Sequence, residues 1–217
     1  MRWFPLTVLG LALAGSARGE DIVDVLRRSQ QQRLETYSAA PDGPRAQTVR
    51  RSFELLRRAL APEIAVDLIV ISGGTLAETL HGRIIVAGEA LADAPEGERL
   101  FILAHELGHV SGQHWQQMGQ LYKRWVPGAV TPENTDPVAG AMGREASGLS
   151  HQHEFSADAF ALQALRDLGL PAQPAFSAFL RQGMQHDTAT HPATRKRVAA
   201  LRAAQALVAA PSSGNAE

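Results

Sequence analysis

The first third of the chain carries two helical patterns of apolar residues. From residue 21 to residue 37, apolar side chains recur near helical spacing, and Pro41 ends the pattern. A second amphipathic helix is predicted before Pro62, because four apolar side chains follow one another at intervals of three or four: Val49, Phe53, Leu56 and Leu60.

Strand patterns come next. The β-branched run over residues 65–71 has the length of a strand, and residues 83–87 predict another. Gly73 and Gly82 bracket a hairpin between these two runs.

Helical patterns dominate the remainder. The run from Asp93 to Glu96 resembles a capping box, so a helix is predicted to begin there and to reach about Trp125. Residues 126–149 are rich in Gly and Pro and predict a long loop, placed to act as a lid. Further helices are predicted over residues 150–168 and from Pro192 to about residue 209.

Composition limits the number of domains and the kinds of partner. The 217 residues, 45% of them hydrophobic, suffice for one compact domain, which we place at residues 20–210, followed by a disordered tail at 211–217. The formal charge is -1 and no basic stripe is visible, which argues against a nucleic-acid partner.

The amino-terminal stretch has the layout of a secretory signal peptide over residues 1–19. Arg2 precedes an apolar run from Trp3 to Ala14, and small residues follow up to Gly19. This layout predicts export to the periplasm or secretion. The apolar run is shorter than the ~20 residues of a spanning helix. An uncleaved anchor, which would keep the protein at the membrane periphery, is the alternative.

A pair of histidines four residues apart dominates the candidate chemistry. His105 and His109 would lie one turn apart on the same helix face, where two imidazoles can bind one zinc ion. Glu106 is rotated away from the metal and suits the role of general base for an attacking water. The chain has no cysteine, so any zinc must be bound by His, Asp or Glu.

The third ligand must come from elsewhere in the chain. The pattern HExxHxxGxxH requires a histidine at position 115, which is Trp115, while His114 lies one position early. Because one residue turns a side chain by ~100° on a helix, we reject that pattern. Glu154 and Asp158 share a later helix face, so Glu154 is predicted to bind the metal and Asp158 to accept the N–H of a ligand histidine, most simply His105.

With these motifs the chain resembles the M48 family of zinc endopeptidases. The family pattern is HExxH, then ExxxD, then a His-Pro pair followed by Arg, and it is matched here at residues 105–109, at residues 154–158, and at His191-Pro192 with Arg197. The resemblance implies an α+β, zincin-like fold that is mostly helical, with a small sheet or hairpin over the zinc helix. The family's Asn in that hairpin is missing near Thr75, which puts substrate specificity in question.

The resemblance also implies roles for two further residues. His191 would lie near the metal, either stabilising the oxyanion of the reaction or capping the zinc of a resting enzyme. Arg197 would hold His191 or the developing charge. A cation facing the oxyanion is the element that the chemistry lacks after zinc and Glu106 are placed.

The sequence therefore predicts an endopeptidase with one Zn²⁺ per chain, acting on exported, unfolded polypeptides. The alternative is a non-catalytic, chaperone-like binding module with a structural zinc. Structural sites are usually closed by four protein ligands, and His191 offers the fourth. Glu106 favours the enzyme, because a structural site has no use for that carboxylate.

Overall fold

The computed structural model describes residues 19–73 and 77–209. Most of the predicted signal peptide, all of the predicted tail, and Thr75 of the hairpin lie outside these ranges. In chain order the structure has helices α1 (Ile22–Glu35) and α2 (Pro44–Leu60), strands β1 (Asp67–Ile71), β2 (Ala77–Leu80) and β3 (Ile84–Gly88), and helices α3 (Glu96–Ser111), α4 (His114–Trp125), α5 (Pro132–Thr135), α6 (Ala139–Asp167), α7 (Gln173–Gln182) and α8 (Thr194–Ala209).

The three described strands form one small sheet in the order β1-β3-β2. The central strand β3 pairs in parallel with β1 and antiparallel with β2, with Thr79 opposite Ile85. The two predicted strands are therefore parallel neighbours, and the hairpin is formed by β3 with β2, an edge strand beside α3 that the sequence analysis did not predict. The α+β class with a small sheet over the zinc helix is confirmed.

Helix α3 lies at the centre of the molecule. It is buried along residues 98–108, and its apolar side chains join α2, α6 and α7 in the main core. The opposite side of α3 carries the two histidines, which are packed against α6 and line a cavity.

The helix predicted from Asp93 to Trp125 is wrong in two respects. It breaks after Ser111, where Gln113 adopts a left-handed backbone with φ of 52°, and α4 starts afresh at His114. Its start has Pro95 as N-cap without a side-chain hydrogen bond, so no capping box forms. Asp93 belongs to a preceding 3-10 turn at residues 89–93.

The loop predicted over residues 126–149 is also wrong, because α6 begins at Ala139. Its first turns contain three glycines, which lower helix propensity and make the stretch read as a loop. Tertiary contacts compensate: Glu145 accepts hydrogen bonds from Arg124 and from the Trp125 indole at the end of α4. The sequence missed α7 as well, whose Pro174 stands in the first turn, where proline is tolerated.

In the described part of the chain, every helix is too short or too polar to cross a bilayer.

Candidate metal centre

Three side chains from two helices converge beneath the sheet. His105 and His109 come from α3, and their Nε2 atoms are 3.1 Å apart. Glu154 comes from α6, with Oε1 3.3 Å from His109 Nε2 and Oε2 3.6 Å from His105 Nε2. Within the described ranges these three residues form a group with ligand atoms all within 4.8 Å of one another, close enough to hold a metal ion.

The dimensions of this cluster fit zinc. A tetrahedral zinc ion with bonds of about 2.0–2.1 Å keeps its ligand atoms about 3.3 Å apart. The separations of 3.1, 3.3 and 3.6 Å, the last two measured to different oxygens of Glu154, are close to that value. Two imidazoles and one carboxylate also form a ligand set typical of catalytic zinc. Oε2 of Glu154 is buried without a hydrogen bond, and the cation that it faces in this structure is the guanidinium of Arg197, whose Nη1 is 2.9 Å away.

The buried charges around the cluster leave a place for a divalent cation. The carboxyl groups of Glu106, Glu154 and Asp158 are each less than a tenth exposed. The guanidinium of Arg197 is the cation that contacts two of them. When both ligand histidines are neutral, as metal binding requires, an ion of charge 2+ balances the remaining carboxylates.

Small residues allow the two ligand helices to approach closely. A Cβ atom on Gly108 would lie 2.9 Å from the Cα of Ala157 and 3.2 Å from its carbonyl oxygen. These are backbone atoms, which cannot move aside alone. Ala157 and Ala161 are fully buried on the facing side of α6. The close approach at Gly108 therefore places Glu154 over the two histidines.

Asp158 and Arg197 support the ligands from behind. Asp158 Oδ1 lies 3.0 Å from His105 Nδ1, the contact predicted for this pair. Arg197 from α8 donates to both oxygens of Asp158, at 2.8 Å and 2.6 Å. The expectation for Arg197 was a contact with His191 or with the developing charge. Its guanidinium pairs with Asp158 and Glu154, because α8 delivers it to the protein side of the ligands, and its charge also acts on His191.

Hydrogen bonds and nearby charges shift the pKa values of the ionisable side chains in the centre. Burial by itself would raise the pKa of Glu154, but the hydrogen bond with His109 and the charges of His105 and Arg197 lower it well below its usual range. The pKa of Asp158 is lowered in the same way, with Arg197 outweighing burial. Both carboxylates are therefore ionised at neutral pH. For His105 the hydrogen bond to Asp158 outweighs burial and raises the pKa, which marks a basic imidazole suited to metal binding.

Glu106 is held by a residue that the sequence did not single out. Its Oε2 accepts a hydrogen bond of 2.7 Å from the hydroxyl of Thr79, which also lies 3.1 Å from the Glu106 carbonyl oxygen. Thr79 belongs to β2, so the contact joins the edge strand to the zinc helix. No local pattern in the sequence signals a contact between residues 27 positions apart.

His191 lies at the rim of the centre. Its Nε2 is 3.6 Å from Glu154 Oε1, and its side chain is 43% exposed. The Nδ1 atom pairs with the Thr190 hydroxyl at 2.9 Å. Burial lowers the pKa of His191, which favours the neutral ring. The structure thus brings His191 to the cluster with the edge of its ring toward the ligands.

The centre opens into a cavity of about 270 Å³ lined by the ligands, Glu106, His191 and residues of β2. Trp115 of α4 lines this cavity and also a larger groove of about 920 Å³ beside α1. The larger groove is lined mainly by charged and polar side chains of α1, whereas the three residues that could hold a metal line the smaller cavity. The candidate metal ligands and Glu106 are therefore all found in the smaller cavity.

Comparison with known proteins finds a family match and a similar solved structure. Residues 74–205 match the family model described as Peptidase family M48. The crystal structure of S. mikatae Ste24p is similar with a TM-score of 0.47 at 18% sequence identity, covering 82% of this chain. This chain spans 55% of the length of the Ste24p chain. No curated protein matches the sequence.

Proposed function

This chain belongs to peptidase family M48, a family of zinc metallopeptidases, and we propose that it is an endopeptidase that hydrolyses peptide bonds of unfolded polypeptides. One observation carries the proposal. The Glu106 carboxyl group is buried beside the His105, His109 and Glu154 cluster and opens into the same cavity. A non-catalytic zinc module has no need for a carboxyl group at that place.

His105, His109 and Glu154 would hold the zinc ion. When bound there, zinc lowers the pKa of a water molecule to about 7 and polarises a carbonyl group. Glu106 then takes a proton from the attacking water, whose oxygen forms a bond to the carbonyl carbon. As the carbon–nitrogen bond breaks, Glu106 passes the proton to the leaving amine. Thr79 keeps one carboxylate oxygen of Glu106 fixed through these transfers.

The edge strand β2 can pair with the backbone of a substrate. Ala77, Glu78 and Thr79 line the cavity, and an edge strand offers backbone groups for pairing with an extended chain. Trp115 lines both this cavity and the larger groove along α1, so we propose that an extended peptide bound at β2 reaches that groove. Unfolded chains can pair in this way, because their backbone is exposed.

His191 is proposed to stabilise the oxyanion. His191 lies at the rim and is exposed, so its ring can contact a substrate carbonyl. Arg197 is buried and does not have this access to the substrate. We expect His191→Ala to lower kcat by about 10²–10³-fold, the cost of losing one such donor, with zinc content unchanged. Steady-state kinetics on an unfolded protein measure this. If His191 instead caps the metal of a resting enzyme, activity rises or stays at the parent level.

Thr79→Val should lower kcat by about 10–100-fold while zinc affinity stays as in the parent. The substitution keeps the shape of the side chain and removes its hydroxyl, which donates to the catalytic carboxylate; hydrogen bonds to charged groups are worth about 1.5–3 kcal/mol. Thr79→Ser is the matched control, because it retains the hydroxyl and should retain most of the rate. Equal rates in the valine and serine variants would show that the hydroxyl does not position Glu106.

The proposed activity is tested by measuring zinc content beside the cleavage of an unfolded casein substrate. We expect about one zinc per chain, cleavage inside the polypeptide, loss of cleavage after chelation, and recovery when zinc is returned. A chain that binds zinc and protects casein without cleaving it would instead be a chaperone-like binding module.

Export is proposed on the pattern of Arg2, the apolar run from Trp3 to Ala14 and the small residues up to Gly19. The substrates would then be other exported proteins that have failed to fold. Amino-terminal sequencing of the protein from a periplasmic extract tests this proposal. An amino terminus at Met1 in the membrane fraction would favour the uncleaved anchor.

A further inference from the structure

His109 has a second ring nitrogen, and a buried histidine faces it. His109 Nδ1 lies 2.8 Å from Nδ1 of His114, whose side chain is 8% exposed. Two ring nitrogens at that distance share one proton, so one ring donates and the other accepts. The identity of the donor decides whether His109 Nε2 can bind a metal, because a neutral imidazole carries one N–H only.

Metal binding sets the direction of this contact. When His109 binds a metal through Nε2, its one N–H is on Nδ1, so His109 Nδ1 donates and His114 Nδ1 accepts. The proton of His114 is then on Nε2, which lies 3.0 Å from the Ser156 oxygen. That oxygen can accept it, because the Ser156 hydroxyl donates to the backbone oxygen of His153 at 2.9 Å.

The break between α3 and α4 puts His114 in place. On a continuous helix, five residues would turn His114 about 140° around the axis from His109. The left-handed backbone of Gln113, with φ of 52°, turns the chain instead, so that the ring folds back onto α3. Gly112 leaves the space for it, because a Cβ atom there would lie 2.3 Å from His114 Nε2. A non-glycine residue in the left-handed region is uncommon and signals a position that the surrounding structure enforces.

A second histidine clamps the face of this ring. His153 stacks on His114 with 4.0 Å between ring centroids and 5° between ring planes. His153 Nε2 in turn lies 3.1 Å from the Gln117 side-chain oxygen. With one face stacked and both nitrogens bonded, the His114 ring has a single orientation.

We propose that His114 is a positioning residue for the zinc ligand His109, holding its ring and its tautomer through the Nδ1–Nδ1 hydrogen bond. This inference rests on the zinc centre proposed above. The two ligand histidines are then supported differently: Asp158 carries a charge behind His105, whereas His114 is a neutral acceptor behind His109. A neutral support fixes the ring without adding a further negative charge to the centre.

The test compares zinc affinity, by chelator competition, in the parent, His114→Leu and His114→Asn. We expect His114→Leu to bind zinc about 10–100-fold more weakly, the usual cost of losing a supporting partner. The asparagine side-chain oxygen stands at the position of Nδ1, so His114→Asn should recover most of the affinity. In the zinc-loaded parent, nitrogen NMR of the His109 ring should show the proton on Nδ1.

His186→Leu is the matched control, because His186 is exposed and away from the centre. A leucine variant with zinc affinity within about twofold of the parent, or an asparagine variant as weak as the leucine variant, overturns the inference. If the leucine variant does not fold, the asparagine affinity and the ring NMR decide, and a His109 ring that binds zinc through Nδ1, or that has no hydrogen-bonded Nδ1 proton in the zinc-loaded parent, overturns it. A parent that binds no zinc would refute the proposed function itself.

Discussion

Glu106→Gln is expected to lower peptidase activity by about 10³-fold while zinc content and fold remain those of the parent. The substitution keeps the size of the side chain and can still accept a hydrogen bond from Thr79. It removes only the ability to take and return a proton, and general base catalysis contributes about 10²–10⁴-fold to rates. None of the three proposed ligands is changed, so metal affinity should not fall.

The measurement is casein cleavage by purified protein, with zinc content determined on the same sample. Glu98→Gln is a useful control, since Glu98 is another buried glutamate of α3 but pairs with Arg181, away from the metal cluster. It should keep the rate while losing some thermal stability. More than a few per cent of parental activity in Glu106→Gln, with contaminating proteases excluded, would take the role of base away from Glu106.

The ligand residues were predictable because their geometry is local. His105 and His109 are one turn apart, and Glu154 and Asp158 are one turn apart, so each pair can be read from helical spacing alone. Neither pair indicates that it meets the other. The prediction that the two pairs meet depended on the type of chemistry, since in a chain without cysteine a third His, Asp or Glu must complete a zinc site.

The supporting residues were harder to predict because their contacts are long-range or depend on irregular backbone. Thr79 reaches Glu106 only because the hairpin places β2 beside α3. The position of His114 depends on a left-handed residue at Gln113, in a stretch where a continuous helix was predicted. Arg197 was identified by the family pattern, but its partners follow from the path of α8.

Local helix propensity also led to a wrong prediction for the start of α6. The glycines of residues 139–149 indicated a loop, and a lid was suggested for that stretch. In the structure these residues are helical and contact the end of α4 through Glu145. The lid suggestion therefore loses its basis there, because a helical turn held by two hydrogen bonds is not a long irregular loop.

Glu154→Ala is expected to lose the metal itself, in contrast to Glu106→Gln. Glu154 is the third corner of the ligand cluster, and without it two imidazoles remain. Because loss of a mere supporting partner costs about 10–100-fold in metal affinity, loss of a ligand should cost more than about 100-fold. The fold should survive, since Arg197 keeps its two hydrogen bonds to Asp158.

Competition with a chelator measures the zinc affinity of Glu154→Ala, with Glu145→Ala as control, and distinguishes the loss of a ligand from the loss of a supporting partner. Glu145 lies on the same helix and pairs with Arg124 at the surface, so its removal should leave zinc affinity unchanged. Addition of excess zinc should restore little activity to Glu154→Ala, because the ligand is missing rather than the metal. If this variant binds zinc as tightly as the parent, Glu154 is not the third ligand, and His191, whose Nε2 lies 3.6 Å from Glu154 Oε1, becomes the residue to test next.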